Sequence, residues 1–167
     1  NFGAEKGSGN VASEKREVSE FSKLDVSHVF QVEVVAQSGY GVEVEADDNL
    51  LQFIKTEVRG DTLHIDLDHR VKTGNAMKIR ISAPNIERVD ASGASRVNIS
   101  NLKNGELTVD TSGASKINVA GETGNLIVDV SGASQLDLSG LSAATANIEA
   151  SGASKVNVNV ANELIAD

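Results

Sequence analysis

The sequence has no cysteine and no tryptophan, and it is poor in other aromatic residues. Its 167 residues include four phenylalanines, one tyrosine and one proline, and no aromatic residue lies after Phe53. The lack of cysteine excludes disulfides, zinc–thiolate sites and thiol nucleophiles. From Ile54 onward the core must consist of Val, Ile, Leu and Ala, which argues against a large enzyme pocket with aromatic walls.

Basic charge and long apolar runs are also scarce. The chain carries 15 Lys and Arg against 24 Asp and Glu, a net charge of −9. A net acidic surface repels phosphate backbones, so we expect no nucleic-acid partner. No apolar run is long enough to span a bilayer. The start Asn-Phe-Gly-Ala-Glu-Lys is typical of a mature end, which favours export and leaves room for a lipid anchor upstream of Asn1.

An internal repeat is the strongest signal in the chain. The tetrapeptide Ser-Gly-Ala-Ser begins at Ser92, Ser112, Ser131 and Ser151, with spacings of 20, 19 and 20 residues. Apolar and polar residues alternate on both sides of each block, which predicts two short strands joined at a corner. The glycines of the blocks supply the tight turn. They are Gly93, Gly113, Gly132 and Gly152.

A 20-residue period of short strands predicts an all-β fold, a right-handed β-helix or β-solenoid with coils stacked roughly 4.8 Å apart. We expect one structural domain, in which a β-rich part or cap at residues 1–90 is continuous with regular coils at 91–167. Its N-terminal strands are predicted at 21–26, 30–35, 41–45, 63–67 and 77–82. Residues 49–58 fit a short helix or a strand, and Gly60-Asp61 suggests a hairpin. The sequence at 164–167 leads toward a fifth corner, so we expect the chain to continue beyond Asp167.

Stacking would align equivalent polar residues in outward columns. The acid column is Asp90, Asp110, Asp129 and Glu149. The basic column is Arg96, Lys116, Gln135 and Lys155, and the asparagine column is Asn98, Asn118, Asp137 and Asn157. Stacked carboxylates repel one another unless the corner folds the basic column alongside them or a cation binds. We expect these columns, as solvated faces, to be the candidate binding surface.

No residue set predicts catalysis, a cofactor or a metal. The serines of the blocks recur in every coil, and the only histidines, His28, His64 and His69, lie outside the repeats, so a serine nucleophile lacks its base. We expect His28 to lie in a turn. His64 and His69 are the histidines to consider as metal ligands, with Asp66 and Asp68 nearby. His64, Asp66 and Asp68 share one face of a predicted strand, but alternation alone places polar residues there. Paired carboxylates leave a polysaccharide-processing enzyme as an alternative.

Several motifs resemble one bacterial family. They are Gly7-Ser8-Gly9-Asn10-Val11, Lys15-Arg16-Glu17-Val18, residues 21–26, Ser82-Ala83-Pro84-Asn85-Ile86 and the Ser-Gly-Ala-Ser blocks. In this order they resemble the "putative auto-transporter adhesin, head GIN domain" family. The resemblance implies exported Gram-negative proteins, often with a signal or lipoprotein leader, a right-handed β-helix and no established catalytic residues. The Gly-Ser-Gly corner, Val-Tyr strand and Gly-Asn-Pro tail that often end family members are absent here.

We therefore expect a non-enzymatic, extracytoplasmic binding module, an adhesin at the bacterial cell surface, outer membrane or periplasm. Its partner would be a surface protein or a glycan, recognised by the outward columns. The alternatives are the polysaccharide-processing enzyme and a structural or assembly module that forms homo-oligomers through its coil ends.

Overall fold

The structure, a computed structural model, describes residues 3–167 and is all-β. Asn1 and Phe2, where the predicted N-terminal part begins, lie outside the described residues. The main sheet is curled, with the form of a half-barrel. The strands are β1 Glu5–Lys6, β2 Val11–Lys15, β3 Lys23–Val26, β4 Phe30–Val35, β5 Gly41–Asp47, β6 Ile54–Arg59, β7 Thr62–Leu67, β8 Val71–Lys72, β9 Met77–Ser82, β10 Arg88–Ala91, β11 Arg96–Thr111, β12 Lys116–Val130, β13 Gln135–Ala150 and β14 Lys155–Ala166.

The repeats pair with one another in parallel. Strand β11 pairs with β12, β12 with β13 and β13 with β14, and the residues at equivalent repeat positions are opposite each other. Val109 pairs with Val128, and Val128 with Ile148, so the inward ladders contain aliphatic side chains, as the pattern predicts. The extra residue in the 20-residue spacings is absorbed at register shifts such as the one between Ile99 and Leu102.

The strands predicted on both sides of each Ser-Gly-Ala-Ser corner are present, but they are longer than predicted, because each runs from one corner to the next. Strands β11, β12 and β13 contain 16, 15 and 16 residues. Each repeat also bends once between its two corners. The strand pairing continues through this bend, because the register shift there is a β-bulge that bends the backbone without ending the ladder. Asn101 and Gly121 lie at this bend with φ of 62° and 137°.

The strands of the N-terminal part continue the same stack. Strand β3 pairs in parallel with β10, and β4 with β11, which adds a layer below the first Ser-Gly-Ala-Ser block. Strands β7 and β9 pair in parallel with β3 and β4 and form a further layer. The corners of these layers lack the repeated tetrapeptide, so the sequence does not mark where they lie.

Antiparallel strands border the last of these layers. Strand β6 forms the predicted hairpin with β7, and Gly60 has a φ of 65° at its turn. Strand β5 pairs antiparallel with β9, and β2 with β5. The two alternatives for residues 49–58 both hold in part, since a 3-10 turn at Leu51–Phe53 leads directly into β6. The five strands predicted before residue 90 are confirmed as β3, β4, β5, β7 and β9.

The core is aliphatic along the repeats and contains rings only in the N-terminal part. Phe21 and Phe30 are fully buried, while the repeats contribute Val, Ile, Leu and Ala. Tyr40 packs edge-on against Phe21 with ring centroids 5.5 Å apart. Within residues 3–167 there is no long apolar helix of the kind that crosses a membrane.

Candidate functional site

The Ser-Gly-Ala-Ser blocks stack into a continuous row of corners. All four glycines have φ between 68° and 72°. A Cβ on Gly113 would lie 2.4 Å from the carbonyl oxygen of Gly93, so the glycine is required both by conformation and by close stacking. The amide of Ala114 donates to the Gly93 carbonyl at 2.8 Å, and the same bond recurs between later corners.

The last serine of each block is structural. Ser95, Ser115 and Ser134 are fully buried. Their hydroxyls donate to backbone carbonyls, as Ser115 does to Ser112 at 3.2 Å and Ser95 does to Ser92 at 3.1 Å. Each of these hydroxyl protons is thus held by the backbone, in agreement with the prediction that the serines form corners.

His28 occupies a corner position that the sequence pattern does not reveal. Because Val26 pairs with Ala91 and Gln31 with Arg96, His28 stands at the level of Gly93. It has a φ of 61°, and its carbonyl accepts the Ala94 amide at 2.8 Å. The expected turn at His28 is therefore confirmed, as an additional corner in the row.

The acid column forms in register and is longer than predicted. Asp90, Asp110, Asp129 and Glu149 are opposite one another on successive strands. The column continues into the N-terminal strands, where Asp25 on β3 is opposite Asp90 and His64 on β7 is opposite Asp25. His64 Nδ1 lies 3.1 Å from an Asp25 carboxylate oxygen.

The repulsion within the acid column is relieved by a residue that sequence reasoning missed. Arg88 lies two residues before Asp90 and donates to both of its carboxylate oxygens at 2.9 Å. The same guanidinium lies 3.4 Å from Asp110. The only sequence signal for this role is the i, i+2 spacing, which places both side chains on one face of a strand.

Asp110 is incompletely compensated. Partial burial, followed by the charges of Asp90 and Asp129, raises the pKa of Asp110 above its ordinary value of 3.8. Arg88 acts in the opposite direction but does not overcome these effects. The ionised carboxylate of Asp110 therefore costs folding free energy at neutral pH.

The basic and asparagine columns lie together on the other side of the corners. Lys116 is opposite Arg96 and Gln135, and Asn118 is opposite Asn98 and Asp137. Both columns continue into the N-terminal strands, where Gln31 and Glu33 precede Arg96 and Asn98. Lys155 and Asn157 end the two columns on β14. The corner row thus separates the basic side from the acidic side, and the basic column does not neutralise the acid column.

The asparagine column forms a hydrogen-bonded chain. Asn118 Nδ2 donates to Asn98 Oδ1 at 3.0 Å, and Asn98 Nδ2 donates to Glu33 at 2.9 Å. Beside it, Arg96, Lys116 and Lys155 are exposed and form no ion pair within residues 3–167. This surface therefore combines uncompensated cations with ordered amide groups, and we call it the ladder face. Its members are Arg96, Lys116, Gln135, Lys155, Asn98, Asn118, Asp137 and Asn157.

The candidate metal ligands His64, Asp66 and Asp68 do not point to a common site, because each contacts a different partner. His64 contacts Asp25, Asp66 contacts His28 at 2.8 Å, and Asp68 pairs with Lys55 at 3.2 Å. The hydrogen bond from the Leu67 amide, together with those from Ser27 and His28, lowers the pKa of Asp66. Among the described residues, no group of three or more His, Cys, Asp or Glu side chains is arranged to hold a metal ion.

Asp47 is a buried carboxylate outside these columns. It connects the segment around Gly9 to the segment 73–75 through hydrogen bonds. It accepts hydrogen bonds from the Thr73 hydroxyl, from the Gly9 amide at 2.8 Å and from Asn75 Nδ2 at 3.3 Å. These bonds, led by that of Thr73, lower the pKa of Asp47. Gly7 packs directly on this carboxylate, which gives the Gly7-Ser8-Gly9 motif a structural reason.

An open cavity of about 680 Å³ lies where the row of corners ends. His28 and Val29 form one border, and Arg70, Met77 and Arg96 contribute others. The sequence does not indicate this cavity, because it forms between segments far apart in the chain.

Comparison with known proteins agrees with the resemblance found in the motifs. The sequence profile of the family described as "Putative auto-transporter adhesin, head GIN domain" matches residues 20–167. No curated protein matches the sequence significantly.

Solved structures from Parabacteroides share the fold. A putative adhesin from Parabacteroides merdae has a TM-score of 0.70 at 17% identity, over 96% of this chain and 82% of its own. A putative adhesin from Parabacteroides distasonis has a TM-score of 0.65 at 16% identity, over 98% and 99%. A protein from the same species described as a putative lipid binding protein has a TM-score of 0.60 at 15% identity, over 96% of each chain. At these identities the likeness concerns the fold alone.

Proposed function

The chain belongs to the family described as "Putative auto-transporter adhesin, head GIN domain", and we propose that it is a non-enzymatic binding module of the bacterial cell surface. The observation that carries this proposal is the ladder face, where exposed Arg96, Lys116 and Lys155 lie beside the asparagine column in one register. Such a face offers polar groups at every level, with similar donors on β11, β12 and β14, and this suits an extended partner better than a single small substrate.

We propose a β-solenoid architecture for this module. Parallel pairing between residues one repeat apart and the stacked glycine corners support it. Residues 91–167 would be the regular coils. Residues 1–90 would be the cap, supported by the antiparallel strands β5 and β6, which border the parallel layers and cover their edge.

The ladder face has the chemistry to bind a glycan or a surface protein. Lys and Arg side chains pair with carboxylate, sulfate or phosphate groups, and amides exchange hydrogen bonds with hydroxyls. The acid column on the other side of the corners would repel the same anionic groups, so an anionic partner is directed to one face only.

We place the module outside the cytoplasm, at the cell surface, on the outer membrane or in the periplasm, with a lipid anchor upstream of Asn1 as one mode of attachment. The family description as an adhesin supports this location. The complete absence of cysteine is compatible with it, because the fold does not depend on a redox state.

A binding assay with matched variants tests the proposed function. The ladder variant carries Arg96→Gln, Lys116→Gln and Lys155→Gln, and its control carries Lys6→Gln, Lys15→Gln and Lys103→Gln. Both remove three exposed charges, but the control residues lie off the ladder face. Fluorescent protein is applied to host matrix, a glycan panel and bacterial cells.

We expect the unmodified chain and the control to bind at least one of these surfaces, and the ladder variant to lose about tenfold or more in affinity. Equal binding by both variants would reject the ladder face as the site. No binding above that of an unrelated acidic protein, or turnover of a polysaccharide that Asp110→Asn and Asp129→Asn abolish, would reject the binding module itself. Concentration-dependent oligomers in light scattering, without surface binding, would favour the assembly module.

A further inference from the structure

The 680 Å³ cavity arises because one corner is replaced by a long excursion. In the layer formed by β3 and β4, residues 27–29 connect Val26 to Phe30. In the next layer Ile65 pairs with Val26 and Met77 with Phe30, so residues 66–76 occupy the place of those three. Residues of both segments, from His28 to Phe30 and from Leu67 to Met77, line the cavity.

The cavity is locally positive on a chain that is acidic as a whole. Arg70 and Arg96 line it, and neither forms an ion pair within residues 3–167. The acidic residue of its wall, Asp68, is already paired with Lys55 at 3.2 Å. His28 is held by Asp66 at 2.8 Å. Two arginines that form no ion pair within residues 3–167 therefore line this recess.

The remaining walls are apolar with a few polar groups. Val29 is 62% exposed here, and Leu67, Val71 and Met77 line the same recess. His69 stacks on Phe53 with ring centroids 4.3 Å apart and an interplanar angle of 15°, which supplies a flat ring at the border. The volume lies within the range of about 300–1,000 Å³ that is usual for small-molecule sites.

We propose that this cavity binds a carboxylate-bearing sugar, a hexuronate, free or as a residue of an acidic polysaccharide. Arg70 and Arg96 pair with the carboxylate, since guanidinium groups match carboxylate geometry. The C–H face of the sugar ring packs on Val29 and the His69 ring, and the Gln31 amide is available to a ring hydroxyl. This site overlaps the ladder face at Arg96 alone.

The test is a titration of the full chain with sodium glucuronate, followed by amide shifts in two-dimensional NMR spectra. We expect saturable shifts at Val29, Arg70 and Ala94, and none with glucose, which lacks the carboxylate. Arg70→Gln is expected to weaken glucuronate binding about tenfold. Lys103→Gln removes an equal charge elsewhere, and Lys116→Gln removes a charge of the ladder face, so both are expected to retain the affinity.

Each other result overturns the proposal. No saturable shift at about 10 mM glucuronate would exclude a hexuronate site. Equal shifts with glucose would show that the carboxylate is not recognised, and equal affinity for hexanoate would show that the sugar is not. Retained affinity in both Arg70→Gln and Arg96→Gln, with native spectra, would exclude the guanidinium groups. Because Lys116 is absent from the cavity, loss of ladder binding in Lys116→Gln leaves this result unaffected.

Discussion

Thr111 is an uncompensated polar residue in the aliphatic interior. It lies opposite Ala91 and Val130 on the inward side of the stack, and it is 1% exposed. Its hydroxyl has no hydrogen-bond partner in the described part of the chain. A buried hydroxyl without a partner costs about 1–3 kcal/mol, because it loses its bonds to water.

We expect Thr111→Val to raise the free energy of unfolding by about 1 kcal/mol, because valine keeps the shape and removes the unpaired hydroxyl. Urea denaturation followed by circular dichroism measures this. Thr108→Val, on the outward side of the same strand, is the control and is expected to change stability by less than about 0.5 kcal/mol. A destabilised Thr111→Val variant would mean that the hydroxyl has a partner, such as an ordered water.

Asp110 and Asp90 are neighbours in the acid column, but we expect their ionised carboxylates to have opposite effects on folding stability. The raised pKa of Asp110 means that the folded state binds its proton more tightly than the unfolded chain does. The ionised carboxylate therefore costs stability above its folded pKa, and the cost disappears as the pH falls below the unfolded value, 3.8. Asp90 instead accepts two hydrogen bonds from Arg88.

Asp110→Asn is accordingly expected to stabilise the protein at neutral pH by about 0.2–1 kcal/mol, a small amount because the side chain is partly exposed. The gain should fade toward about pH 4. Asp90→Asn is expected to destabilise, since it breaks the bidentate pair. Thermal unfolding of both variants across this pH range decides the point. If Asp110→Asn were the less stable protein at pH 7, the attribution of repulsion to the acid column would be incorrect.

At the scale of the elements, the corners set the stacking distance. Gly113 has a φ of 69°, and a Cβ there would meet the Gly93 carbonyl at 2.4 Å. Gly105, in the same strand system, has open space around its Cβ position. A side chain is therefore excluded at Gly113 but has room at Gly105, although both glycines lie in the repeats.

Gly113→Ala is expected to lower the free energy of unfolding by about 2 kcal/mol or more, from the left-handed conformation and the clash together. Gly105→Ala is expected to change it by less than about 0.5 kcal/mol. Chemical denaturation of both variants measures the difference. Similar values for the two would contradict close stacking of the corners.

The sequence predicts those elements whose determinants are local or periodic. The strands β4 and β9 follow from alternation, and the columns follow from the fixed repeat. The turn at His28 is predicted, but its place in the row of corners is not, because a histidine stands where the repeats have glycine, and only the pairing of Val26 with Ala91 reveals that place. The length of the repeat strands is missed because a bulge bends the chain without ending its pairing.

The residues of the candidate sites also differ in whether the sequence predicts them. Equivalent positions of a repeat must align once the repeats pair in parallel, so the ladder face can be listed from sequence alone. The cavity requires knowing that residues 66–76 replace a corner, which depends on long-range pairing of β7 with β3. Arg88 is likewise unremarkable in sequence, and only its bidentate contact with Asp90 identifies it as the neutralising group.

For the whole molecule, the parallel register of the repeats forms both the acid column and the ladder face. The corner row separates the acid column, compensated in part by Arg88, from the uncompensated cations beside the asparagine column. A net charge of −9 therefore does not describe the ladder face, where the local sign is positive. The proposed binding depends on this separation, and the separation depends on parallel stacking one repeat apart.

Parallel stacking is tested most directly by nuclear Overhauser contacts between backbone protons in solution. We expect contacts between residues 19 or 20 positions apart, such as Val109 with Val128 and Val97 with Ile117, repeated along the parallel strands. Antiparallel pairs bring opposite α-protons close together, whereas parallel pairs do not. Close α-proton contacts between the strands before and after one corner, with no contacts one repeat apart, would mean a hairpin meander and would contradict the account.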